Sequence, residues 1–138
     1  LKLFILLLVL TFSAPVFSCS CSMGEVSQKL ESSKSVFVGS VKEIQYLESS
    51  NVFGDQKIVV SFSIQNQWKG GKEESTLHTA YNAAGCYGYW FEKSKEYLIY
   101  AFEDDGRLNT MWCGGVVSKD ESMESFKEEV ITLNKLTD

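Results

Sequence analysis

Two cysteines one residue apart, Cys19 and Cys21, followed by two distant single ones, Cys86 and Cys113, constrain this chain more than any other feature. A bridge between Cys19 and Cys21 would force a strained ring across one residue, so each must reach one of the distant pair. Either pairing ties the start of the domain to its body. Each bridge closes a loop of more than 60 residues, which the chain-entropy account values at roughly 4 kcal/mol. A four-cysteine zinc site is the rival use, but the paired Cys-x-x-Cys knuckles of such sites are missing.

What precedes Cys19 says where such bridges form. Lys2 is followed by an apolar run over residues 3–12 that only Thr11 interrupts, then by Ser13, Ala14 and Pro15, and Ser18 stands directly before Cys19. A basic start, a short apolar core and a small residue at the cut are the grammar of a secretory signal. The run falls short of the roughly 18 apolar residues that a membrane span requires. Residues 1–18 are therefore expected to be removed, leaving 19–138 as one domain in an oxidising compartment. The expected location is secreted or extracellular, or periplasmic or cell-surface in a bacterial host. Without Lys2 the domain has 12 basic and 18 acidic side chains. That acidic balance argues against nucleic-acid and anionic-membrane partners. Plentiful aromatics and a single proline argue against disorder.

Periodicity predicts a mostly β chain with two helices. Met23, Val26 and Leu30 fit a short helix over 24–32, and residues 35–47 read as a strand with a bulge at Gly39. Strict alternation of Ile58, Val60, Phe62 and Ile64 predicts a second strand, ended by Trp68-Lys69-Gly70-Gly71. A third strand is expected over 75–81. Residues 96–102 and 107–113 form an expected hairpin turning at Asp105-Gly106. Met123, Phe126, Val130 and Leu133 mark a C-terminal helix, with Ser118 and Glu121 as its capping box. Five strands without a βαβ rhythm, flanked by two helices, suggest a small barrel, the OB-fold first among candidates.

Enzymatic constellations are thin. His78 is the one histidine and stands at an alternating strand position. The run Glu103-Asp104-Asp105 lacks the spaced oxygens of a calcium loop and reads as a solvated hairpin tip. No nucleophile elbow, phosphate loop or zincin motif occurs. The chain is read as a non-enzyme with no cofactor of its own. The chemically unusual group is the new terminus, Cys19-Ser20-Cys21-Ser22. An α-amine titrates at about 7.7–8.0, so part of it is neutral near pH 7 and can donate to a metal. Its nitrogen and the carbonyl oxygen of the same residue close a five-membered chelate ring. A catalytic zinc keeps one position open for water, which such a chelate can occupy.

With those residues in view, the sequence resembles the N-terminal, netrin-like domain of the tissue inhibitors of metalloproteinases. The similarity is carried by Cys19-Ser20-Cys21, Val36-Phe37-Val38-Gly39, Val60-Ser61-Phe62, Trp68-Lys69-Gly70, Thr79-Ala80 and Gly85-Cys86. Further carriers are Lys95-Glu96-Tyr97-Leu98-Ile99, Asp105-Gly106-Arg107-Leu108 and Cys113. The resemblance implies a five-stranded OB-fold barrel with bridges Cys19–Cys86 and Cys21–Cys113. It implies that the amine and carbonyl of Cys19 chelate the zinc of a target protease while Ser20 enters the S1′ pocket. Ser22, Ala83, Ala84 and Gly85 would complete the contact ridge. The family's third disulfide has no counterpart, its first partner falling near Ser32 or Ser33, and Ser22-Met23-Gly24 replaces a Pro-rich continuation.

The expectation is thus a secreted, monomeric inhibitor of a zinc metalloprotease. The alternative is a non-inhibitory extracellular netrin-like binding module using Tyr87, Tyr89, Trp90 and Phe91. A third reading lipidates Cys19 through Val16-Phe17-Ser18-Cys19, which excludes both its bridge and its chelate.

Overall fold

In the computed structural model, residues 24–48, 56–71, 75–81, 88–111 and 113–138 are described. The expected signal segment and the cysteines at 19, 21 and 86 lie outside them.

The first expected strand forms as β1, Ser35–Tyr46, and its composition explains its central place. Val36, Phe37, Val38 and Val41 give apolar side chains to both faces, and all four are buried. A strand covered on both sides reads as a continuous apolar run rather than an alternation. β1 pairs antiparallel with β2 (Gln56–Lys69) along one edge and with β4 (Glu96–Asp104) along the other. The expected bulge is present: register against β2 slips between Val38 and Gly39. A Cβ at Gly39 would sit 3.1 Å from the Phe62 Cβ and 3.3 Å from the Ser63 carbonyl oxygen.

The strands form one antiparallel sheet in the order β3-β2-β1-β4-β5, where β3 is Thr76–Tyr81 and β5 is Arg107–Asn109. β4 also pairs with β6, Val116–Ser118. The end strands β3 and β5 approach each other but share no ladder, so the sheet is barrel-like and not closed.

Among the described residues six strands replace the expected five. The stretch 107–113 does not run on as one strand but leaves the sheet after Asn109. The Thr110 hydroxyl donates within a site made by the carbonyls of Tyr100 and Gly115, 3.2 Å from each. Gly114 takes a positive φ of 79°. The chain doubles back there and returns as β6, too short to show an alternation of its own. The β4–β5 turn behaves as its residues predict: Asp105 and Gly106 both have positive φ, 51° and 74°, the geometry of a type I′ hairpin.

Two apolar clusters share the central strands. Inside the curl lie Phe37, Ile58, Val60, Phe62, Leu77, Phe91, Tyr97 and Ile99. On the outer face, Val36, Val38, Leu98 and Tyr100 are covered by α1 (Val26–Ser32) and α2 (Met123–Thr137) through Val26, Leu30, Phe126, Val130 and Leu133. The expected capping box at Ser118 is corrected. The Ser118 hydroxyl accepts the Glu121 N–H at 3.3 Å, but Ser118 ends β6 and the helix starts beyond Ser122. The pair shapes the connecting turn instead. No helix among the described residues is long and apolar enough to cross a membrane.

Candidate functional site

Of the residues expected to carry function, Cys19, Ser20, Cys21, Ser22, Ala83, Ala84, Gly85 and Cys86 lie outside the described residues. The frame that enters and leaves those segments is described, and its construction is specific.

The first segment leads into α1 through Gly24, whose φ is +77°. A Cβ there would collide with the Gln28 side chain. That side chain is occupied in accepting the Glu25 N–H through Oε1 at 2.9 Å, which satisfies one donor exposed at the helix start. Helix α1 is then fixed by a side chain that the apolar pattern did not single out. Lys29 lies three residues after Val26, on the face α1 turns to the sheet, and is only 5% exposed. Its ammonium donates to both carboxylate oxygens of Glu129 on α2, at 3.0 and 2.9 Å, and to the Gly114 carbonyl at 3.3 Å. It also lies 4.3 Å from the centre of the Tyr100 ring, a favourable cation–π arrangement. The Tyr100 hydroxyl donates to Glu129 Oε2 at 2.6 Å. Burial, then the Glu129 carboxylate, raises the Tyr100 pKa far above its ordinary value. The available signal was positional: Glu129 falls three residues after Phe126 and four before Leu133, a carboxylate on an apolar stripe.

Gly114 directly follows Cys113, so Lys29 ties the first helix to the turn holding that cysteine. Cys113 is disulfide-bonded. The other three cysteines lie outside the described residues.

The second segment, 82–87, is bracketed by Tyr81 at the end of β3 and by Gly88. Gly88 is buried with φ +73°, and a Cβ on it would run into the Ala80 carbonyl. Only glycine lets the returning chain lie this close to β3. The aromatics after it divide. Tyr89 and Phe91 turn into the inner cluster, their ring centroids 4.9 Å apart, with Tyr97 5.7 and 5.1 Å from each. Phe91 is 2% exposed, so it is no surface contact residue, contrary to its place in the binding-module reading. Trp90 points outward, 47% exposed, between Tyr46 and Tyr81 with centroids 5.8 and 5.3 Å away.

At the open seam between β3 and β5, a cleft is lined by His78, Thr79, Asp104, Asp105, Arg107 and Asn109. Burial first, and the Arg107 charge second, lower the His78 pKa. The Thr79 hydroxyl is buried without a hydrogen-bond partner. Among the described residues, no three His, Cys, Asp or Glu side chains are grouped to hold a metal.

No family model matches the sequence, and no curated protein matches it.

Proposed function

We propose that the protein is a secreted inhibitor of zinc metalloproteases, built on an OB-fold barrel of the netrin-like kind. The observation that carries this reading is the order Cys19-Ser20-Cys21 directly after a secretory signal, with Cys86 and Cys113 at the resembling positions. Bridges Cys19–Cys86 and Cys21–Cys113 hold the terminus against the barrel. The free amine and carbonyl of Cys19 chelate the target's zinc, Ser20 enters S1′, and Ser22 with Ala83, Ala84 and Gly85 flanks them. A terminus ordered during folding loses little freedom on binding, which is what a chelating wedge needs.

Two features of the frame support the reading. Helix α1, which starts four residues beyond Ser22, is nailed down by a buried Lys29, whose second contact is the carbonyl next to disulfide-bonded Cys113. Gly88 packs the exit of the 82–87 segment directly on β3. Both places where the proposed ridge joins the barrel are therefore stiff. The chain acts by binding rather than catalysis and works as a monomer.

The test is an intact mass with N-terminal assignment on protein recovered from its native host. A chain starting at unmodified Cys19 and four hydrogens lighter than its reduced form supports the reading. A lipidated or acylated Cys19 has no free amine, and the binding-module reading then replaces it.

A further inference from the structure

The outward-facing Trp90 stands between two grooves whose chemistry selects a ligand class. One groove is lined by Glu43, Tyr46, Trp90, Glu92 and Lys93, the other by Tyr81, Tyr89, Trp90, Glu92 and Glu121. Tyr46 is 54% exposed beside the half-exposed indole, so aromatic faces are available to solvent. Three carboxylates line the pair of grooves against one ammonium. Glu43, Glu92 and Glu121 make no ion pair with any described residue, whereas Glu96, Glu103, Asp120 and Glu129 each do. The arrangement is also held in place: the Glu92 N–H donates to the Tyr97 hydroxyl at 3.0 Å, and Trp90 is braced by Tyr46, tilted at 40°, and by Tyr81, edge-on at 61°, which leaves the indole half-exposed.

An exposed indole attracts cations through the negative face of its ring, and an arginine guanidinium stacks on it best. Carboxylates at the rim add a counter-charge that a neutral ligand cannot use.

We infer that the Trp90 face is a docking site for an arginine side chain presented by an extracellular polypeptide partner. The guanidinium stacks on Trp90 beside Tyr46 or Tyr81, and Glu92 with Glu43 or Glu121 accepts its hydrogen bonds. This site stands independently of the zinc-chelating terminus.

The test is a titration of the secreted domain with a blocked tetra-arginine peptide, followed through the tryptophan indole N–H resonances. Trp68, whose indole donates to Asn134 Oδ1 at 2.8 Å, is the internal control and reports folding in every variant. The Trp90 resonance is expected to shift with tetra-arginine and not with tetra-glutamine, and the response should weaken as salt is added. Glu92→Gln with Glu121→Gln should weaken binding at least about threefold, and Trp90→Ala, followed through the peptide's own resonances, about fivefold or more. Equal response to tetra-glutamine or to a neutral maltohexaose overturns the proposal. So does concentration-dependent broadening of Trp90 without peptide, which would mean self-association, or unchanged affinity in both variants.

Discussion

Removing Glu129 tests whether the frame beneath the terminus depends on its buried charge pair. In Glu129→Ala the Lys29 ammonium, with its side chain 6% exposed, keeps only the Gly114 carbonyl and the Tyr100 ring. The Tyr100 hydroxyl loses its 2.6 Å acceptor at the same time. Breaking a buried pair by deleting one partner costs about 3–5 kcal/mol, because an uncompensated charge remains. Side-chain exposure of 20% at Glu129 lets some water in, so the lower half of that range, about 3–4 kcal/mol, is expected. At roughly 3–4 °C per kcal/mol for a domain of this size, the melting temperature should fall by about 9–16 °C. Urea unfolding at equilibrium, followed by tryptophan fluorescence, measures the same loss. Lys29→Met combined with Glu129→Leu removes both charges and should recover the part due to the trapped ammonium, while the Tyr100 hydroxyl still lacks its acceptor. A Glu129→Ala loss under about 1 kcal/mol, or a double variant no better than the single one, would refute the argument that the charge is trapped.

Thr79→Val replaces a buried hydroxyl that has no partner with a methyl of the same shape, and should leave stability unchanged or raise it by about 1 kcal/mol in urea unfolding. Gly88→Ala forces a side chain into the left-handed region and against the Ala80 carbonyl, and should cost about 2 kcal/mol or more, read as a lower urea midpoint at unchanged slope. His78 has a depressed folded pKa, so the unfolded chain binds its proton more readily. The contribution is complete above the ordinary histidine value of 6.5 and is lost as pH falls from there through the folded pKa. Arg107→Gln should move the His78 titration, followed by proton NMR, back toward that value, though burial keeps part of the depression.

Much of the fold was legible because long elements carry strong periods. The alternation at Ile58, Val60, Phe62 and Ile64 became β2, the two-faced run Val36–Val38 became the doubly buried β1, and Asp105-Gly106 became a type I′ turn. The misses have local causes. Three-residue β6 is shorter than a pattern needs, and its place is set by Thr110 and by glycines 114 and 115 rather than by hydrophobicity. Ser118 and Glu121 satisfy the capping spacing, yet the helix begins at Met123 because Ser118 is held in the β6–β4 ladder. Tyr89, Trp90 and Phe91 look alike in sequence, but Phe91 is buried in the inner cluster, Tyr89 packs against it partly buried, and Trp90 faces outward. The pair Lys29 and Glu129 was hidden because a charge on an apolar face has meaning only once its partner's face is known.

Zinc chelation needs the free amine of Cys19, and one added residue tests it. Adding Ala before Cys19 turns that amine into an amide nitrogen, which has no lone pair for zinc, and leaves the described frame untouched. The two forms should be compared for inhibition across a panel of zinc metalloproteases, with matched urea unfolding curves to show equal folding. The form beginning at Cys19 should inhibit, and the extended form should lose at least about a hundredfold at equal stability. Equal inhibition by both forms would contradict it.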